Sequence, residues 1–433
     1  MNIAGSYQSM FKIPELKRRI LFTAFILAIY RLGSHIPVPG IDRGAMADLF
    51  ANLEGTFAGL YDMFSGGNLS NATIFALGIM PYISASIILQ LLQAVVPYFE
   101  KLAKEGEEGR KKINQYTRYG TVGLALVQSF GMSFAVEGLG VVAYPGLAFK
   151  LMFILTLTTG TMLVMWLGEQ ITERGIGNGI SLIIFAGIIA RYPSDILRTI
   201  QQLQDGSLHW FVLLIILAFM LAVIAAIIAI TQGQRKIPVQ YAKKIVGRRV
   251  YGGASTHIPL RVNTAGVIPI IFAQSIIMFP ATLGNFFPDS DFWQALSSTF
   301  TPPHIVYIVV YSAMIILFAY FYTAVILNPR DVADNLKKNS GFIPGVRPGN
   351  KTAEYIDRVL TRVTLPGAVF LAIIAILPDL MIYYLNVPFY FGGTGLLIVV
   401  GVALDTLQQI ESHLVMRHYD GFMAKGRLRA RRT

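Results

Sequence analysis

The sequence predicts an all-α integral membrane protein with about ten transmembrane helices, and three observations carry the prediction. Of 433 residues, 54% are hydrophobic and only 14% are charged, more apolar side chain than a water-soluble fold of this size needs. Residues 210–230 are twenty-one uninterrupted apolar positions, which at about 1.5 Å rise per residue match a hydrocarbon core of roughly 30 Å. When the apolar segments are alternated through a bilayer, all but five of the 36 Lys and Arg fall on one side, the asymmetry expected of cytoplasmic loops.

Taken in order, the spans are expected near 20–36, 72–96, 119–137, 150–170, 179–192, 210–230, 264–284, 305–327, 363–384 and 394–412. The first follows Lys17, Arg18 and Arg19 and so imitates a secretory signal. Arg31 directly after the run, and the lack of a small-x-small cleavage pattern before SHIPVPG, favour an uncleaved span instead. Spans six and eight are apolar all round. The second carries Gly78, Pro81, Ser84, Ser86 and Gln90; the fifth is short and opens GIGNGISL; the seventh carries Gly266, Pro269, Gln274 and Ser275; the tenth opens GGTGLL. Small and polar residues favour close helix packing or a lined cavity over lipid, and four such spans together point to an internal pathway. An even span number places both termini, the loops 97–118, 171–178, 231–263 and 328–362, and the basic tail 413–433 in the cytoplasm.

Composition also excludes functions. With no cysteine, disulfides, thiolate catalysis and cysteine-bearing zinc sites are ruled out. A net charge of +12 would suggest nucleic acid in a soluble chain, but basic inner loops account for it here. Glu169, Asp379 and Asp405 lie toward span ends and no histidine sits near a midplane, which speaks against a proton pump or an ion-coupled solute transporter. No HExxH and no credible Ser/His pairing suggest a membrane protease. GIGNG (175–179) lacks a βαβ context, and in GVRPGNKT (345–352) Asn350 separates the glycine from Lys351, so neither binds nucleotide phosphates. Neither an enzyme nor a cofactor is expected, and energy for any vectorial process has to come from a partner.

Eight blocks, in order and on these spans, carry a likeness across nearly the whole chain: MFSGGNLSNATIFALGIMPYISASIILQLL (63–92), KEGEEGRKKINQYTRYG (104–120), WLGEQITERGIGNGISLIIFAGI (166–188), GRRVYGG (247–253), AGVIPIIFA (265–273), NPRDVADNLKK (328–338), GFIPGVRPG (341–349) and PFYFGGTGLLIVVGVALDT (388–406). The chain resembles the SecY family, the channel subunits of the bacterial Sec protein translocase. The resemblance implies two inverted five-helix halves, here 1–205 and 206–433, around an hourglass pore in the bacterial cytoplasmic (inner) membrane. Such a pore passes unfolded secretory polypeptides outward and releases transmembrane segments sideways into the bilayer. The short N-terminal segment and TQGQRKIP (231–238), without the glutamate often found before GQR, depart from familiar members and touch only cytoplasmic docking.

The resemblance also assigns sites. A pore ring falls on Ile79, Ile83, Ile180, Ile184, Ile271 and Ile398. Isoleucine offers a permeating ion no substitute for its hydration shell yet closes around a passing chain by dispersion contacts. A plug falls within 56–71 and includes Tyr61, Asp62, Met63, Phe64, Ser65, Gly66, Gly67 and Asn68; a fixed interfacial helix is the structural alternative. Ser84 and Phe279 would edge the lateral gate, and Asn178 would bond near the closed plug. Arg248, Arg249 and Arg347 would dock the ribosome, through its RNA and exit-tunnel proteins, or the motor ATPase SecA. The implied partners are SecE, SecG, SecA, the ribosome and a signal-sequence-bearing client, with SecDF and YidC as further candidates and anionic lipids along the basic face. A solute transporter, or an insertion scaffold without a pore, is the competing expectation.

Overall fold

The computed structural model describes residues 13–52, 57–206, 209–241, 244–246, 249–251, 255–284, 290–300, 304–385 and 393–425. Seven helices among them are long and apolar enough to cross a membrane, and an eighth if a bent pair counts as one span. Helices Pro14–Gly33 and Ile268–Gly284 occupy the first and seventh predicted spans. The chain divides into two compact units. One comprises 1–198 with 281–297 and 402–433, and the other 199–280 with 298–401.

The first unit begins with α1 (Pro14–Gly33), whose opening turns carry the basic triplet. After α2 (Arg43–Asn52) and α3 (Phe57–Ser65) the chain runs through turns to α4 (Met80–Val95). The second span was expected from residue 72, but 72–79 is not helical. Pro81 stands in the first turn of α4, where its missing N–H costs nothing. The residues before it spend their backbone groups elsewhere: Val38 and Ile74 amides donate to the Ala72 and Ile36 carbonyls, bridging this stretch to the segment after α1. At Pro97 the chain turns by 97° into α5 (Pro97–Lys104).

Helices α6 (Glu107–Gly138) and α7 (Leu147–Arg174) pack in series beside α4. Gly160 on α7 lets the Ile74 carbonyl approach the helix directly. Arg118 and Glu169 join α6 to α7 by two hydrogen bonds of 3.0 and 2.8 Å. The fifth span, expected to be short, is α8 (Gly179–Gln204), 26 residues long with Pro193 inside it. A proline removes one helical donor, the one that would serve the Ile189 carbonyl, yet the helix continues past it; the neighbouring Ser194 hydroxyl donates 2.7 Å to the Arg191 carbonyl.

In the second unit, α9 (Trp210–Gln232) is apolar on every face and exposes Leu214, Ile215, Leu217 and Leu221, a surface that only lipid or another apolar helix stabilises. The loop after it forms strands: β1 (Gln234–Tyr241) pairs antiparallel with β4 (Ser255–Arg261), Ile237 opposite Ile258, while β2 (Lys244–Val246) and β3 (Arg249–Tyr251) form a separate two-stranded ribbon. Helix α10 is Ile268–Gly284, and a short α11 (Asp291–Thr299) belongs to the first unit. Helix α12 (Ile305–Ile326) buries one face, including Tyr307, Tyr311, Ile315 and Phe318, although the sequence reads as apolar all round. It packs on α14 (Asn350–Leu385), which starts well before the predicted ninth span. Between them lie α13 (Pro329–Lys338) and β5 (Gly341–Phe342), the latter pairing with β1. The last helix, α15, runs Gly393–Lys425.

Candidate channel elements

The segment after α2 is the most constrained irregular stretch in the first unit. Tyr61, Phe64, Ser65 and Asn68 are buried, and Asp62 is 3% exposed. A helix of nine residues is too short to hold itself in water, so its order comes from its neighbours. The Tyr30 hydroxyl on α1 donates to the Ser65 carbonyl at 3.3 Å and accepts from Asn68 Nδ2 at 3.2 Å. Asn68 Nδ2 also donates to the Ser65 carbonyl, and the Thr73 hydroxyl closes back on Asn68. Tyr61 donates to the Leu77 carbonyl at 3.2 Å.

Gly66 and Gly67 turn the chain with φ of 78° and 79°, a left-handed conformation that costs other residues steric strain. Gly66 meets Gly187 of α8 backbone to backbone, so close that a Cβ placed on Gly66 would lie 2.6 Å from the Gly187 Cα. Asp62 Oδ1 accepts the amides of Leu69 and Ser70 at 3.0 and 2.9 Å, while Oδ2 lies 3.2 Å from Arg191 Nη1 on α8. A buried carboxylate is tolerable only with such a set of donors around it.

The isoleucines are distributed over both units. Ile79 caps α4 and Ile83 lies one turn inside it; both are buried. Ile184 of α8 is buried, whereas Ile180 is half-buried and lies against the bare Gly168 of α7. In the second unit Ile271 and Ile398 are buried on α10 and α15, where Gly401 makes room for Val267 just before α10. Ser84 is half-buried, one residue after Ile83. Phe279 lies within α10, but its side chain, like those of Met63 and Arg249, lies outside the described residues, and so do Arg248 altogether and the tail 426–433.

Asn178 bonds locally. Its Oδ1 accepts the amides of Ile180 and Ser181 at 3.1 and 3.2 Å, capping α8. The plug segment meets the same helix at Gly187, nine residues on, which is about 13 Å along the axis at 1.5 Å per residue. A short amide side chain before a helix finds its nearest orphan amides first. Sequence reading overlooked Tyr30, Gly187 and Arg191. They lie 35, 121 and 129 residues from their partners Ser65, Gly66 and Asp62, and no local pattern marks them.

The basic ribbon stands on its own small core. Ile237, Val239 and Leu260 of β1 and β4 pack with Leu336, Ile343, Ile356 and Leu360, while Arg235, Lys236, Arg330, Lys337, Lys338 and Arg347 of the same segments are exposed. Next to it a polar pocket of about 600 Å³ is lined by Asn328, Arg330, Asn350, Glu354 and Asp357.

Seven or eight apolar helices long enough to span a membrane, with small residues on selected spans, define a multi-pass membrane protein. Comparison with known proteins makes this specific. The SecY family model matches residues 73–407. The chain is 51% identical over 424 residues to the protein translocase subunit SecY of Escherichia coli strain K12, covering 96% of each. Its fold matches a SecY whose plug domain stabilises the closed translocation channel and maintains a membrane seal, with a TM-score of 0.65 at 18% identity over 94% of this chain and 96% of that one. It also matches Sec61 in the canine ribosome–channel complex, with a TM-score of 0.60 at 16% identity over the same shares. The chain belongs to the SecY family, the protein-conducting channel subunits of the Sec translocase.

Proposed function

We propose that the chain passes unfolded secretory polypeptides outward across a bacterial cytoplasmic membrane and releases apolar segments sideways into lipid, driven by SecA or a translating ribosome. The observation that carries this is the segment 57–78. Most of its described side chains are buried, and it is glycine-turned and tied by polar contacts to α1 and α8, as a seal requires and an ordinary connecting loop does not. In this reading the halves 1–205 and 206–433 are inverted repeats. Ile79, Ile83, Ile180, Ile184, Ile271 and Ile398 form the constriction, and the segment around Asp62 is the plug.

Ser84 and Phe279 edge the lateral gate. Both termini are cytoplasmic, in keeping with the distribution of Lys and Arg. The loops with Arg248, Arg249 and Arg347 are the landing surface for SecA or the ribosome, supported by the exposed cations around the β1–β4 core and by the ribosome-bound state of Sec61 in the matching structure. SecE and SecG cover part of the apolar surface, with SecDF and YidC joining during release.

The test is reconstitution with the small partner subunits and SecA, followed by protease protection of a secretory precursor. ATP-dependent protection is expected, and its absence overturns the reading. Replacing Ile83, Ile184 and Ile271 by glycine is expected to make the same vesicles leak ions; a scaffold without a pore predicts no leak.

A further inference from the structure

The two oxygens of Asp62 serve different masters. Oδ1 binds the Leu69 and Ser70 amides and lies 3.4 Å from the Ser65 hydroxyl, all partners that belong to the plug segment itself. Oδ2 binds Arg191 at 3.2 Å, and Arg191 belongs to α8. Among the described residues, the remaining polar ties from this segment, through Tyr30 and to the Leu77 carbonyl, are neutral. Its closest contact with α8, Gly66 on Gly187, is bare backbone.

We infer that the Asp62–Arg191 ion pair is the releasable latch of the plug, with Arg191 as the positioning residue that sets how often the plug leaves its seat. This rests on reading residues 57–71 as a plug. The physical argument concerns what each charge meets along the way. Seated, the carboxylate is nearly fully buried but fully partnered. Displaced, it keeps its internal amide bonds and gains water, while the guanidinium, already 20% exposed on its side chain, hydrates in place. Halfway, both charges are desolvated and unpaired, the costliest arrangement open to them. A charged latch therefore penalises partial opening and makes the plug two-state, which neutral hydrogen bonds alone do less sharply.

The chain has no cysteine, so one reporter can be read cleanly. In the reconstituted complex, Leu69→Cys, buried in the seated plug, is labelled with a membrane-impermeant maleimide while halide leak is followed in the same vesicles. Arg191→Gln and Asp62→Asn are each expected to speed labelling and leak by at least about fivefold, the factor that goes with losing roughly one charged contact. Asp62→Asn keeps an oxygen for the Leu69 and Ser70 amides, so its effect is not that of a lost turn. The double variant is expected to be no leakier than the worse single one, and Arg191→Lys to stay close to the parent. Unchanged labelling in both single variants, or effects that multiply in the double variant, overturns the latch. Should Arg191→Gln fail to assemble, Asp62→Asn and Arg191→Lys decide by the same criteria. A vesicle that leaks when residues 57–65 are deleted but not in either latch variant refutes the latch alone. A complex that neither leaks on that deletion nor protects a precursor refutes the channel reading instead.

Discussion

The segment 57–78, the proposed plug, and the β1–β4 sheet both interrupt a series of apolar helices, yet they treat charge in opposite ways. Around Asp62 a single carboxylate is buried with four donors disposed about it. The ribbon instead exposes Arg235, Lys236 and Arg347 to solvent and keeps only aliphatic side chains inside. A buried charge fixes one geometry, because every missing partner is costly. Exposed charges fix none, since water satisfies them, and they serve long-range attraction instead. The segment around Asp62 is thus held in one defined place, which suits the proposed plug, while the exposed cations suit the proposed docking of a polyanionic or acidic partner.

That contrast can be broken by experiment, beginning with the largest effect. Gly66→Val places a branched side chain at φ 78° against the Gly187 backbone. It should disfavour the seated plug by roughly 2–5 kcal/mol, seen as strong ion leak with the ribbon's partner affinity untouched. Ile356→Ala empties the centre of the ribbon core. The local cost of about 2–5 kcal/mol should appear as faster proteolysis of 231–263 and weaker docking of SecA, without leak. Tyr30→Phe removes the hydroxyl shared by Ser65 and Asn68. A loss of about 1–3 kcal/mol should lower the thermal midpoint of the purified complex and raise leak modestly. Arg347→Ala, at an exposed position, should do least. If the partner surface is ribosomal RNA, it lowers the slope of log affinity against log salt by roughly one unit and leaves leak and thermal midpoint alone. A ribbon variant that leaks, or a plug variant that alters docking alone, would erase the distinction.

Much of the fold was legible because membrane helices advertise themselves. The run 210–230 became α9 with two further residues, and the spans at 305–327 and 394–412 fell on α12 and α15. Failures came where polarity and helicity part company. Residues 72–79 are apolar enough to resemble the start of a span, but their backbone groups bond to the segment after α1. The fifth span was expected to be short, near 179–192, and α8 continues through Pro193 to Gln204. Helix α14 extends through charged residues at 350–362, where hydropathy has no signal to give.

By itself the sequence determined the membrane-spanning class and the positions of small and polar residues, since each is a sum over local side chains meeting lipid or water. Only the tertiary structure decided which polar groups share a site. Tyr30 and Arg191 are each unremarkable in their own segments, and Asn178, which the resemblance placed near the plug, caps α8. Folding brings α1, the plug segment and α8 together over separations of 35 and 129 residues. A buried carboxylate then takes whichever donors the packing presents, and no local sequence pattern encodes that choice.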